Sequence, residues 1–213
     1  MSRQSVTGVT TGSGTRSDCM DRESELELVS RLRAGDAGAF DVVYAMFNAR
    51  LFTFLARLTR SRERAEDLVE ETWMRLVTHA DRLRPDTMLG PWLFTVARNL
   101  HVSHCRSRML EESYAGDGLG LWPQAPSSSP YEETAANEFE RRVEAALATL
   151  PVAYREVLLL VAVEGLGPSE AAEVCGISPA ALRQRLKRAR DMLAQRLDDS
   201  ARTVRGAFRE VNP

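Results

Sequence analysis

The chain has 213 residues, 44% of them hydrophobic, enough for one medium domain or two small ones with real cores. Its 28 Lys and Arg stand against 30 Asp and Glu, a net charge of −2. That balance excludes a protein that coats nucleic acid through global charge, so any contact with phosphate has to come from a local patch. Cys19, Cys105 and Cys175 are too few and too scattered for a disulfide framework, which points to a reducing compartment, the cytoplasm by default.

The N-terminal "MSRQSVTGVTTGSGTRSDCM" is rich in Ser, Thr and Gly and lacks the apolar core of a signal peptide, so residues 1–24 read as a disordered tail. The longest apolar run, Val157 to Val163, is far too short to span a bilayer. From Glu25 onward apolar residues recur at helical spacing, which predicts an all-α protein. The pattern breaks once, in "YAGDGLGLWPQAPSSSPYEE", where Gly, Pro and Ser cluster. This predicts a flexible linker over 109–136 between two small helical domains, 25–108 and 137–199, followed by a C-terminal tail, 200–213, that extends the last helix or frays. No internal repeat relates the two blocks.

In the first block, "SRERAEDLVEETWMRLVTHA" places Asp67, Glu70, Glu71 and Met74 at i, i+3, i+4 and i+7, an acidic face carrying a thioether. Leu68, Thr72 and Leu76 form the inward stripe of the same helix. Such a face repels phosphate; it is either a solvated surface or a dock for a basic protein surface. Next, "LRPDTMLGPWLFTVARNLHVSHCRSR" sets a Pro- and Gly-broken loop before a helix starting near Pro91. That helix carries Trp92, Phe94, Arg98, Asn99, Arg106 and Arg108; aromatics beside cations and an amide suit unstacked bases, although Trp92 and Phe94 taken alone read as core. His101, His104 and Cys105 share one helical face at a metal-compatible spacing, but no fourth ligand accompanies them and they read as incidental helix residues.

The second block ends in "EGLGPSEAAEVCGISPAALRQRLKRARDML". Gly167 and Pro168 open a short helix through Val174, Gly176 turns the chain, and Ser178 with Pro179 opens a second helix. This is a helix-turn-helix. Leu182, Leu186, Ala189 and Leu193 make one apolar stripe of the second helix, whereas Arg183, Arg185, Lys187, Arg188 and Arg190 make its other side uniformly positive. A rigid cationic helix after a capped turn suits the major groove, its N-terminal residues nearest the base edges. Cys175, just before the turn, reads as a small core residue.

"GDAGAFDVVYAMF", "AEDLVEETWMRL", "RPDTMLGPWLFTVARN" and "LPVAYREVLLLVAVEGLGPSEAAEVCGISPAALRQRLKRAR" occur in order across residues 25 to 197. Together they resemble the two characteristic domains of bacterial extracytoplasmic-function (ECF) sigma factors. The resemblance implies a non-enzymatic role in transcription initiation, with no cofactor, metal or small-molecule substrate. It implies that Asp67, Glu70, Glu71 and Met74 dock on core RNA polymerase. It further implies that Leu83, Arg84, Trp92, Arg98, Asn99 and Arg106 read and melt a minus-ten promoter element. Ser178, Ala180, Ala181, Arg183, Gln184, Arg185, Lys187 and Arg188 would read the minus-thirty-five element. An anti-sigma factor, often membrane-anchored in such systems, would be the controlling partner.

The chain departs from the family pattern at several of these positions. Glu70 replaces a frequent Gln, Leu83 an aromatic that flanks the captured base, Ser103 a frequent Asp and Gly167 a Ser/Thr cap; Gly90 and Pro91 stand where a basic residue is common. An unusual minus-ten preference is expected. The alternative of a different class is a stand-alone helix-turn-helix repressor or activator, but such a protein has no use for the acidic helix, and no dimerisation heptads are present.

Overall fold

A computed structural model describes residues 21–114 and 138–211, and every regular element among them is helical. The chain runs α1 (Arg22–Arg33), α2 (Ala37–Thr59), α3 (Arg62–His79), a 3-10 turn (Ala80–Arg82) and α4 (Leu89–Tyr114). After the linker come α5 (Glu138–Thr149), α6 (Val152–Leu158), a π turn (Leu159–Val163), α7 (Pro168–Cys175) and α8 (Pro179–Val211). Two boundaries differ from the sequence expectation. Asp21 caps α1 by accepting the Ser24 N–H at 2.9 Å, so the helix starts inside the segment read as tail. The helix α4 runs on to Tyr114, past the expected linker start at 109. In the segment 200–213, expected to extend the last helix or fray, α8 continues to Val211. Residues 1–20 of the expected tail, the rest of the expected linker from 115, and the last two residues lie outside the described residues.

Short caps set the joints. Asp36 accepts from the Gly38 N–H at 2.8 Å to start α2, Ser61 from Arg64 to start α3, and Ser178 Oγ from the Ala181 N–H at 3.2 Å to start α8. The turn between α7 and α8 needs a left-handed residue at Gly176, φ 63°, which glycine adopts without a Cβ clash. Ahead of α7 the Gly167 N–H donates to Glu170 Oε2 at 2.7 Å, the one half of a capping box that a glycine N-cap can still take part in.

The first four helices share a core in which α2 lies centrally, contributing Val43, Phe47, Leu51, Phe54 and Leu55. The Phe54 ring meets Phe94 of α4 edge-on, centroids 5.3 Å apart. By length and composition α2 could cross a bilayer, but its apolar side is occupied by this core. In the second block α6 buries its second half, Arg155 to Leu158, and packs on α8, while α7 and α8 close the helix-turn-helix over Leu182, Leu186 and Ala189. The two blocks touch, with α4 lying against α7 and α2 approaching α6.

Candidate nucleic-acid interface

The apolar stripe of α8 points inward as the periodicity predicts, with Leu182 and Ala189 fully buried. The opposite side presents Ser178, Ala180, Arg183, Gln184, Lys187 and Arg188 to solvent, with Ala181 and Arg185 half-buried at its edges. Among the described contacts no carboxylate pairs with any cation from Arg183 to Arg190. A cationic helix face left uncompensated holds a standing attraction for phosphate, and the exposed Gln184 and the half-buried Arg185 carry groups that can bond base edges. Under it, burial pushes the Cys175 thiol up to about 12, so it stays a neutral core group.

The residues expected to read the minus-ten element do not share one environment. In the loop after the 3-10 turn, Arg84 is exposed and bonds Asp86 at 2.8 Å, whereas Leu83 is buried at 5% exposure. An aliphatic side chain sunk in the core cannot flank an extruded base, so Leu83 anchors the loop; Met88, 41% exposed, is the loop's apolar side chain in solvent. On α4, Asn99 and Arg106 are exposed and Trp92 is half-buried against the core. Arg98 is engaged elsewhere: its Nε donates to Glu156 Oε1 of α6 at 2.7 Å.

That contact belongs to a set which local sequence patterns do not reveal. Three carboxylates of the second block, Glu144, Glu156 and Glu164, are buried, and each receives an arginine from the first block. Arg57 donates Nε to Glu144 at 3.2 Å, Arg98 meets Glu156, and Arg50 bonds both the Glu164 side chain and its carbonyl at 3.0 Å. Burial raises the Glu164 carboxyl pKa and Arg50 pulls it back. Arg155, 3% exposed, donates to the carbonyls of Leu147, Ala148 and Leu150 at the end of α5 and of Arg57 and Leu58 at the end of α2. One guanidinium thereby caps two helix C-termini whose last carbonyls have no partner in their own helices. Desolvation lowers its pKa to about 10, which leaves it charged at neutral pH. The available signal was the stretch "YREVLLL": a helix apolar all round must bury its Arg and Glu, which then need partners.

The acidic helix α3 exposes Asp67, Glu70, Glu71 and Met74 and buries Leu68, Thr72 and Leu76, as its spacing predicts. Arg75 pairs with Glu71 at 3.1 Å and so tempers part of the charge. Beside it Tyr44, Asn48 and Phe52 of α2 and Arg62, Glu66, Val69, Glu70, Trp73 and Met74 of α3 line a groove of about 480 Å³, in which Arg62 pairs with Glu66 at 2.8 Å and leaves Glu70 as the carboxylate without a described pair. Its floor is fixed: the Trp73 Nε1–H donates to Asn48 at 3.0 Å and the Tyr44 ring lies 5.0 Å from the Trp73 ring. An aromatic floor with carboxylates on its rim suits a basic, apolar helix of another protein.

His101, His104 and Cys105 do not converge. His101 is buried, His104 faces solvent, and the Cys105 Sγ sits 3.8 Å from the His101 ring. Burial, then the neighbouring His104, Arg155 and Arg98, lower the His101 pKa to about 4, so the ring is neutral. Among the described residues no three His, Cys, Asp or Glu side chains gather to hold a metal.

The family model of Sigma-70 region 2 matches residues 43–110 and that of Sigma-70 region 4 matches residues 140–193. The ECF RNA polymerase sigma factor EcfG of Rhodopseudomonas palustris is 35% identical over 176 residues, spanning 78% of this chain and 93% of that protein. The chain belongs to the ECF sigma factors. Another relative of the same kind, SigM of Bacillus subtilis, is 32% identical over 153 residues, 72% of this chain and 91% of that one. Among solved structures, the sigma factor RpoE in complex with the anti-sigma factor NepR from Bartonella quintana superposes with a TM-score of 0.63 at 28% identity, covering 75% of this chain and 96% of RpoE. CnrH in complex with the cytosolic domain of CnrY shares the fold, TM-score 0.62 at 24% identity, covering 83% and 98% of the two chains.

Proposed function

We propose that this ECF sigma factor binds core RNA polymerase and directs initiation at promoters with minus-ten and minus-thirty-five elements, each step assigned to a surface described above. The observation that carries the reading is that one chain holds both kinds of surface: an acid-rimmed aromatic groove between α2 and α3, and the uncompensated cationic face of α8. The groove, lined by Glu70 and Met74, docks on the polymerase together with Asp67 and Glu71 of the same helix. Residues Ser178 to Arg188 enter the major groove of the minus-thirty-five element. The loop from Arg84 to Met88, with Trp92, Asn99 and Arg106 of α4, receives the opened minus-ten strand, and Arg98 joins it when released from Glu156.

An anti-sigma factor is the proposed inhibitor. RpoE from Bartonella quintana, to which this chain is similar, is held by one. A membrane-anchored inhibitor would pass on an extracytoplasmic signal, and the sigma factor would work in the cytoplasm with its polymerase. The activity needs no catalytic step of the chain's own.

The test mixes the full chain with sigma-free bacterial core polymerase and a library of promoter-like fragments, then measures co-elution and transcript start sites. Co-elution with new, sequence-specific starts is expected. No binding to core, together with tight duplex binding by the chain alone, would overturn the reading in favour of a stand-alone regulator.

A further inference from the structure

The loop that leads into α4 is held from a distance. A turn closes at Arg84 and Thr87, the Thr87 N–H donating to the Arg84 carbonyl at 3.0 Å, and three further backbone groups are taken up by the first turn of α1. Arg22 donates Nη2 to the Asp86 carbonyl at 2.7 Å and Nη1 to the Thr87 carbonyl at 3.5 Å. Glu25 accepts the Leu89 N–H at 2.8 Å, capping α4 from outside, and its other oxygen binds Arg22 at 2.7 Å. One i, i+3 ion pair on α1 thus satisfies two carbonyls and one amide some 64 residues further on. The carboxylate is largely sheltered, its side chain 14% exposed, so its bonds are screened less than those of a surface pair.

Leu83 and Leu89 bury the two ends of the loop, and the Arg22–Glu25 pair fixes its middle. The arrangement leaves Arg84, Pro85, Asp86 and Met88 exposed on a backbone with little freedom. Capturing an unstacked base requires a preformed receptor, because a loop that must order itself at that moment loses the entropy of doing so. We propose that Arg22 and Glu25 are positioning residues for promoter opening, holding the Arg84–Met88 backbone in the shape that receives a base of the minus-ten strand. The assignment rests on the sigma-factor reading and deepens it. Neither residue belongs to the docking groove or to α8, so both steps of binding that those surfaces serve are left intact.

The experiment uses the full chain with core polymerase and a promoter selected by the wild type from a randomised library. Open-complex formation is followed on the duplex and on the same fragment with its minus-ten segment mismatched open, and minus-ten base preference is scored by selection. Arg22→Ala and Glu25→Ala are expected to slow opening of the duplex about tenfold, the scale of one lost charge-assisted hydrogen bond. Both should flatten the minus-ten preference, with near wild-type behaviour on the pre-opened fragment and unchanged core affinity. Glu25→Gln keeps an oxygen for the Leu89 N–H and should recover most of the Glu25→Ala defect. Asp21→Ala removes the α1 cap without touching the loop and controls for loosening of the helix; it should keep the wild-type preference. Variants of Arg22 and Glu25 that retain the wild-type preference, or a defect reproduced by Asp21→Ala, overturn the proposal alone. A wild type that neither binds core nor initiates overturns the sigma reading and this assignment with it.

Discussion

The helices α4 and α8 have similar local chemistry and opposite surroundings. Both are amphipathic and both carry cations and an amide on the side expected to meet DNA. Arg183, Lys187, Arg188 and Arg190 of α8 face solvent and no acid pairs with them among the described contacts, while Arg98 of α4 is taken by a buried glutamate of α6, and α7 lies over the same helix. A basic helix face is therefore only a potential nucleic-acid surface. Whether it is available depends on what the rest of the chain lays across it, and here the helix proposed to read DNA in the first block is partly covered by the second block.

The difference can be tested by removing one cation from each helix. Arg98→Ala strands the Glu156 carboxylate in a buried site and should lower stability by about 3 kcal/mol, whereas Arg183→Ala should move it by no more than about 0.5 kcal/mol. Urea unfolding of the two variants reads the contrast, and equal effects would break it. A second probe of the covered side of α4 is pH. His101 has a folded pKa near 4 against an ordinary value of 6.5, so the unfolded chain takes up its proton first as pH falls. Stability is complete above about pH 6.5 and should decline by up to about 1.4 kcal/mol per pH unit down to about pH 4. His101→Leu should flatten that segment of the stability curve, and a curve identical to wild type would remove His101 as its source.

On the open side, Arg185→Ala should weaken minus-thirty-five binding by about 1–3 kcal/mol and relax specificity at one position if it bonds a base edge. A loss equal on every sequence, seen in a binding titration against a panel of duplexes, would assign it to phosphate. The smallest effect expected on binding is at the acidic helix. Asp67→Arg or Glu71→Arg should lower core polymerase affinity by about 1 kcal/mol without changing duplex binding; the docking assignment is falsified if co-elution is unaffected in both.

The parts that were legible in the sequence are those governed by neighbours in the chain. Helical period placed Leu68, Thr72 and Leu76 inside and Asp67, Glu70, Glu71 and Met74 outside, and the Ser178–Pro179 and Gly176 signals located the turn of the helix-turn-helix. The start of α1 was missed because Asp21 caps it from within a polar stretch whose composition resembles a tail. The apolar stretch around Glu156 signalled a buried charge, but the partner in each contact between residues far apart in sequence left no local trace: Arg50 with Glu164, Arg98 with Glu156 and Arg22 with the Asp86 carbonyl are each set by tertiary packing. Leu83 was assigned to the minus-ten site through the family resemblance alone, and that it lies in the core is set by the packing beneath the loop.

The arginine–glutamate contacts between the two blocks also set a length. Elements named for positions minus ten and minus thirty-five lie about 25 base pairs apart, about 85 Å of duplex at a rise of about 3.4 Å per pair. A compact body of this many residues is about 40 Å across. Folded against itself, the molecule is a ruler shorter than the distance it is proposed to measure. Reading both marks at once means parting Arg50 from Glu164, Arg57 from Glu144 and Arg98 from Glu156, and residues 115–137, at most about 80 Å when fully extended, would then set how far the two halves can reach.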